Sequence, residues 1–412
     1  MKRLGCWCIF SIAVVISTVG VGGELSISAS ALAQAKQELQ TQVDAGKVAG
    51  ASYIVVLDGM TAALETAGQR DIEDKTPFTA DTIVRIYSMS KPITSVAAMK
   101  LYEQGKFRLD DPISKYIPAF AKTTVLEQDG DEVKIVPAQR QLTIRDVMRH
   151  TTGYSYGDGN PNPRKYYERE GLRYRPPAGM LPPQMTIQQA AEALARIPAI
   201  HQPGARFTYG FNTDLLGRLI EVWSGETLDK YLQRAVLDPL EMVDTGFSVP
   251  VAKRDRFATC HTLRDGKLAI IDKASSSEFN KGFEFLSGGG GLLSTIGDYA
   301  NFCQMLVDQG EFKGRRLLNP ETLKLMFTDQ LNGVAGPFHF GLGFAIMEIE
   351  LGSGDNVRKA MQYSWGGYAS TDFRVVPEAK LFQIIMRQRV PSSHSLANKL
   401  FPVIYQGIVD AR

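Results

Sequence analysis

Ser88 and Lys91 stand three residues apart in Ser88-Met-Ser-Lys91, directly before Pro92 and the apolar run Ile93 to Leu101. If a helix begins here, that spacing puts a hydroxyl and an ammonium on one face. Pro92 suits a first helical turn, where its missing N–H costs nothing. Ile93, Val96, Ala97 and Leu101 continue an apolar stripe at helical period. A serine at a helix N-terminus sits in the positive potential of unpaired N–H groups, which favours an alkoxide-like nucleophile. A lysine beside it, buried enough to lose its proton, takes the serine's proton. The chemistry indicated is nucleophilic attack by Ser88 assisted by Lys91. Serine and lysine are common residues, so the pair gains its meaning from the rest of the chain.

Two further stretches carry chemistry. Pro203-Gly-Ala-Arg-Phe-Thr-Tyr209-Gly-Phe-Asn212-Thr-Asp-Leu-Leu-Gly217 reads as a turn, an aromatic run and a helix start. It places Tyr209 in a loop beside a helix, where a tyrosine near cations acts as a general base. The bland reading is one of 15 tyrosines packing a loop. Trp365-Gly366-Gly367-Tyr368 closes an apolar strand, and paired glycines there let a ligand approach the backbone closely. The amides of Tyr368 and Ser88 then form an oxyanion hole. The alternative is a bulge or tight bend in an edge strand.

The elements that must position these residues follow from periodicity. Ser28 to Val43 is helical and ended by Gly46; Gly50 to Leu57 is a strand that turns at Asp58-Gly59 into a return strand, Thr61 to Ala67. Helical patterns recur over 144–148, 187–197, 215–223, 228–236, 296–309 and 320–327. Between Tyr154 and Pro183 the composition shifts to Gly, Pro, Arg and Tyr, a long irregular segment suited to a substrate wall or to a surface insertion. Its Tyr156, Tyr166 and Tyr167 are candidates to line an acyl or alcohol pocket. Strands return at 341–348, 360–365 and 373–386, the last folded around Pro377-Glu-Ala-Lys380, before a closing helix from Leu396 to Val409. Strands at both ends with helices between imply one sheet assembled from the two chain ends, with a helical region inserted in the middle.

The chain has 412 residues, 44% of them hydrophobic and 22% charged, ample for a large core in one or two interlocked domains. Its net charge of +2 and the lack of a basic stripe argue against nucleic acid as a partner. Met1-Lys-Arg3 precedes twenty uncharged residues, which reads as an export signal ending at Gly23 and places the mature chain in the periplasm or outside the cell. No stable membrane insertion is then expected, and the competing reading is an uncleaved N-terminal anchor. Cys6 and Cys8 fall in that segment. Cys260 and Cys303 are left, either as a disulfide or as two buried thiols. No pair among the five histidines has zinc-ligand spacing, and no phosphate loop or dinucleotide fingerprint is present, so no cofactor and no metal is expected.

Taken in order, Ser88-Met-Ser-Lys91, the Tyr209 stretch and Trp365-Gly-Gly367 resemble the serine β-lactamase and penicillin-binding-protein superfamily. The resemblance is closest to the class C β-lactamase-related branch and the family VIII carboxylesterases. Asp81-Thr-Ile-Val-Arg85, His150-Thr-Thr-Gly153, Gly288-Gly-Gly-Gly-Leu-Leu-Ser-Thr295 and Phe340-Gly-Leu-Gly343 add to it, so that it spans nearly everything after residue 23. It implies an α+β DD-peptidase/serine β-lactamase fold. In that fold 24–80 and 280–412 form the sheet domain, and 81–279 a mainly helical domain with 154–183 at the active site. Ser88, Lys91 and Tyr209 take the catalytic positions; Asn212, Trp365, Gly366, Gly367 and Tyr156 face substrate. Two departures matter. Class C enzymes carry Tyr-x-Asn, whereas Asn212 stands one position later, and they carry Lys-Thr-Gly where this chain has Trp365-Gly-Gly. Loss of that lysine removes charge-assisted binding of an anionic substrate and favours neutral esters.

A rival motif, Gly153-Tyr-Ser155-Tyr-Gly157, matches the nucleophile elbow of α/β-hydrolases, and Asp372 and His394 would complete its triad. The elbow needs a buried strand before the serine and a helix after it. Here His150-Thr-Thr precedes Ser155 and a Gly/Asn/Pro-rich stretch follows. The expected function is a serine hydrolase forming an acyl-enzyme on Ser88: a carboxylesterase on short-chain esters, with weak β-lactam hydrolysis beside it. Its alternatives are a β-lactamase and a D-alanyl-D-alanine carboxypeptidase or acyltransferase. From a different class comes a non-catalytic cell-wall binding protein on the same fold.

Overall fold

The computed structural model describes residues 25–129, 132–157, 163–174 and 184–410; the expected export segment lies outside them. In chain order, the elements that frame the site begin with β1 (Leu25–Ile27), α1 (Ala29–Asp44), β2 (Gly50–Leu57), β3 (Met60–Asp71) and β4 (Thr76–Pro77). Next come the helices α2 (Ser90–Glu103), α3 (Ile144–Met148), α4 (Ile187–Arg196), α5 (Asn212–Ser224) and α6 (Ile296–Val307). The chain then returns to strands β5 (His339–Phe340), β6 (Ala345–Leu351), β7 (Arg358–Gly366), β8 (Asp372–Val376) and β9 (Leu381–Arg387), and ends with α7 (Ala397–Gln406) and β10 (Ile408–Asp410).

Eight strands form one antiparallel sheet in the order β5-β6-β7-β8-β9-β2-β3-β4. The C-terminal run joins the N-terminal hairpin at its middle, where Leu381 faces Leu57 and Arg387 faces Ala51. This is the sheet built from both chain ends that the sequence implies. The β2–β3 hairpin turns at Asp58 and Gly59, both at positive φ, as a two-residue primed turn requires.

Strand alternation sorts the core into two layers. Ile54 and Val56 of β2, with Phe373, Val375, Phe382 and Ile384, meet the inserted helices on one face. Tyr53, Val55, Leu381 and Ile385 meet α1 and α7 on the other, through Leu39, Leu400, Phe401 and Ile404. β2 is covered on both faces, hence its apolar run from Tyr53 to Leu57.

α2 is the central helix. Every residue from Ser90 to Met99 is buried. Its sequence is correspondingly weak in amphipathic pattern, as a helix surrounded by protein must be. Gly105, at φ +70°, closes the chain beyond it. Cys260 and Cys303 are unpaired thiols buried in different clusters.

Candidate active site

Ser88 lies in a single 3-10 turn, Tyr87–Met89, which leads directly into α2; the α-helix itself starts at Ser90, two residues later than the serine. The preceding strand is pinned by Arg85, which is fully buried. Its guanidinium donates to Asp272 Oδ2 (2.6 Å), the Ala258 carbonyl (2.7 Å) and Ser277 Oγ (3.0 Å). Leu292 grips the turn from the other side, accepting from the Ile86 amide at 3.1 Å and donating its own amide to Ser90 Oγ at 3.1 Å. Tyr87 is forced to φ +42°, a strained conformation for a bulky residue, costing on the order of 1–3 kcal/mol. Edge-to-face contacts with Phe279 and Tyr368 hold its ring there. The strain sits beside the nucleophile, where the backbone must turn sharply to present a side chain.

Lys91 is 1% exposed and spends all three N–H donors. They reach Ser88 Oγ (3.2 Å), Tyr156 OH (3.1 Å) and the Gly289 carbonyl (2.6 Å). Its ammonium also lies 4.5 Å from the centre of the Tyr209 ring. The Tyr209 hydroxyl turns the other way and accepts from Trp365 Nε1 at 3.2 Å. Lys91 therefore touches Tyr209 through the π face and Tyr156 through a hydrogen bond. Burial and the neighbouring Tyr209 push the Tyr156 phenol well above its usual range. Behind Tyr209, His150 is buried with its ring 5.1 Å away; burial and the Lys91 charge hold its pKa well below the usual value.

The opposite wall is the end of β7. A Cβ on Gly367 would stand 2.4 Å from the Ile86 carbonyl and 2.1 Å from Thr371 Oγ1, so only glycine lets this edge close on the Ser88 turn. Gly367 N–H is used by Thr371 O (2.8 Å), and its carbonyl by Ser370 N–H (2.9 Å). The amide of Tyr368 takes no hydrogen bond among the described residues. Between these walls lies a cleft of about 350 Å³, lined by Ser88, Tyr209, Trp365, Gly366, Gly367 and Tyr368. At its far end Asp372, Arg374 and His394 meet: His394 Nδ1 lies 3.2 Å from Asp372 Oδ2, and Arg374 Nε 3.6 Å from Oδ1.

Of the residues expected here, Ser88, Tyr209 and the Trp365–Tyr368 edge line one cleft, with Lys91 on the Ser88 oxygen. Three expectations need correction. Asn212 does not reach substrate: it is fully buried at the start of α5, donating to the carbonyls of Tyr154 (3.2 Å) and Thr208 (3.1 Å) and accepting from Thr152 Oγ1. One position beyond Tyr-x-Asn, it serves as a clamp between loops. Tyr156, expected on the substrate wall, sits instead on Lys91. Tyr167, expected on the same wall, is fully buried and stacked on Phe211, while Tyr166 lies on a short helix, Arg164–Arg169, beside Lys165 and Arg169; residues 158–162 and 175–183 of this segment lie outside the described residues.

The elbow reading fails on geometry. Ser155 is buried, its oxygen accepting from the Gly157 amide at 3.1 Å, with no strand before it and a bend at 156–157 directly after. The Asp372–His394 pair drawn for it does form, but in the cleft of Ser88. Sequence reasoning missed Asp214 and the Gly288–Gly290 loop as neighbours of Lys91. The glycine run was the only signal, and it does not say which helix it packs on.

The chain is similar to known proteins along most of its length. A family profile described as Beta-lactamase matches residues 35–400. Protein Rv1367c of Mycobacterium tuberculosis is 32% identical over 363 residues, covering 84% of this chain and 88% of that one. Monacolin J acid methylbutanoyltransferase of Aspergillus terreus is 27% identical over 344 residues, 76% of this chain and 79% of that one. Among solved structures, EstCE1, a hydrolase with promiscuous acyltransferase activity, superposes with a TM-score of 0.74 at 24% identity, over 91% of this chain and 99% of its own. That last likeness speaks for the fold.

Proposed function

Because the chain belongs to the beta-lactamase family, whose fold carries serine hydrolases and acyltransferases, we propose that it is a carboxylesterase acting on short-chain esters through an acyl-enzyme on Ser88. The observation that supports it most is the contact of the Lys91 ammonium with Ser88 Oγ, facing a strand edge whose Tyr368 amide is free among the described residues. In this reading Ser88 Oγ attacks the ester carbonyl, forming the Oγ–C bond while its proton passes to the Lys91–Tyr209 pair. The amides of Ser88 and Tyr368 take the oxyanion, each worth roughly 3 kcal/mol. The alkoxide leaves with a proton from Tyr209, whose hydroxyl lies on the Trp365 side of the cleft. Water then repeats the sequence and frees Ser88.

The preference for neutral esters rests on charge. Trp365 stands where class C enzymes have a lysine, and the Arg374 guanidinium and the His394 ring in the cleft both face Asp372, which offsets them internally. A second reading, acyl transfer to an alcohol in place of water, is favoured by the likeness to the methylbutanoyltransferase. We read residues 1–23 as an export signal; N-terminal sequencing of the secreted chain tests this.

The deciding assay compares a short-chain nitrophenyl ester with a chromogenic cephalosporin, using wild type, Ser88→Ala and Ser155→Ala. Ester turnover lost in Ser88→Ala and kept in Ser155→Ala supports the assignment, and the reverse overturns it. Cephalosporin turnover exceeding ester turnover refutes the substrate ranking. An added alcohol that diverts the acyl group favours the transferase reading.

A further inference from the structure

Asp214 lies in the first turn of α5, 3% exposed, directly behind the Lys91 cluster. Its Oδ1 accepts from Ser287 Oγ (2.5 Å) and from the Gly289 amide (3.1 Å), while Oδ2 is buried without a partner among the described residues. Gly289 is thus gripped at both ends of its residue: its N–H goes to Asp214, and its carbonyl receives the shortest of the Lys91 hydrogen bonds, 2.6 Å. The grip is close. A Cβ on Gly289 would stand 2.8 Å from Oδ2 and 3.1 Å from Oδ1, so no other residue type lets the carboxylate and the loop approach this far. The loop is also tied to α2 one residue earlier, where Thr94 Oγ1 donates to the Gly288 carbonyl at 2.8 Å.

We infer that Asp214 is a positioning residue for the reaction at Ser88: it fixes the Gly289 carbonyl on Lys91 and sets a buried carboxylate behind the Lys91 cluster. The inference rests on the reading of Ser88 as nucleophile. A carboxylate with one oxygen unpartnered gains little from this site as packing, since a buried acceptor without a donor is costly. Its charge, however, acts through a dry interior on every titratable group that faces it. These are Lys91 from α2, and Tyr156 and Tyr174 from the segments that cover the cluster. Lys91 is the one cation among them, and it draws the Asp214 carboxyl down against the larger effect of burial, which raises it. An attacking serine needs a proton acceptor, and a negative charge behind the cluster opposes the loss of a proton from it. Removing that charge should therefore move the rising limb of the activity profile to lower pH.

The test is the rate of Ser88 phosphonylation by a fluorophosphonate from pH 5 to 10, the site located by mass spectrometry, in the full chain. Asp214→Asn keeps an acceptor for Gly289 and Ser287 and removes only the charge; we expect the rising limb to move to lower pH by about one unit. Asp214→Ala removes the grip as well, and should slow labelling about tenfold or more at every pH. A merely structural role would reduce the folded fraction and leave the limb where it was. Should Asp214→Asn not fold, Ser287→Ala carries the test: losing one donor to the carboxylate weakens its ionised form and should move the limb the same way by less. Label on Ser88 in both proteins with superimposable profiles overturns the inference alone. Label on another residue in the wild type overturns the nucleophile reading and the inference with it.

Discussion

The close approach of Gly367 to the Ser88 turn makes Gly367→Ala the sharpest perturbation of the oxyanion edge that leaves every polar catalytic group in place. The added Cβ would lie 2.4 Å from the Ile86 carbonyl oxygen, against a working minimum of 3.0 Å, so backbone must yield by at least 0.6 Å. Neither side can yield alone. Ile86 is held by the hydrogen bond its N–H donates to the Leu292 carbonyl (3.1 Å), and Gly367 by the one its N–H donates to the Thr371 carbonyl (2.8 Å). The edge therefore moves off the nucleophile as a unit, carrying the Tyr368 amide with it. Loss of one oxyanion donor costs about 2.7–4 kcal/mol in the barrier, or roughly 10²–10³ in kcat. Overpacking of this kind costs about 1–3 kcal/mol of stability, which the fold should survive. Gly366→Ala is the internal control: its Cβ would meet His394 Cε1 at 3.1 Å, the far end of a half-exposed side chain. Steady-state kinetics on a nitrophenyl ester, with thermal melts for both variants, should show kcat collapsing in the first and nearly unchanged in the second. A Gly367→Ala enzyme with kcat within threefold of wild type would refute the oxyanion role of this edge.

Tyr209→Phe should lower kcat by about 10²-fold or more, as loss of a general acid-base group does. Tyr156→Phe removes one of three acceptors from Lys91 and should cost less; equal losses would make Tyr156 the proton-transfer residue. The Asp372 carboxylate raises the His394 pKa. The stability this bond contributes is present below the unfolded histidine value and lost as pH rises through the folded one. At a half-exposed ring it is worth well under about 1 kcal/mol. Histidine NMR titration should show the raised value falling in Asp372→Asn, and an unmoved titration would refute the pairing. Asp272→Ala leaves the Arg85 guanidinium buried without its carboxylate, and should lower stability by about 3–5 kcal/mol in denaturant unfolding.

The legible parts of this molecule were local. Ser88-Met-Ser-Lys91 before an apolar run, the Asp58-Gly59 turn and the alternation of β7 each state their geometry within a few residues, and the structure keeps them. The order of three motifs was enough for the fold. What escaped is what depends on distant partners. The Thr124–Asp129 and Glu132–Pro137 hairpin escaped because Glu127, Asp129, Glu132 and Lys134 put charge on both of its strands. The pairing of β1 with β10 joins two three-residue strands too short to show a period. Asn212 and Tyr156 were placed by chain position, but hydrogen bonds to Tyr154, Thr208 and Lys91 decide where they point. A buried polar residue goes where its partners are, and sequence spacing does not name them.

The seam at which β9 joins β2 has a consequence for the order in which this molecule is made. Tyr53 hydrogen-bonds Gln383, 330 residues later. A ribosome delivers the N-terminal hairpin first, with one edge of β2 bare until the last tenth of the chain emerges. Throughout that interval its unbroken apolar run, Tyr53 to Leu57, is an open template for another strand, the hazard that unpaired edges carry. Contacts of such long range are also slow to form, since loop closure must come before any pairing. Yield on synthesis should therefore depend on a holding chaperone, and truncation before Leu381 should give aggregates in place of a smaller folded unit. The strand that completes the sheet is also the one that seals the molecule against itself.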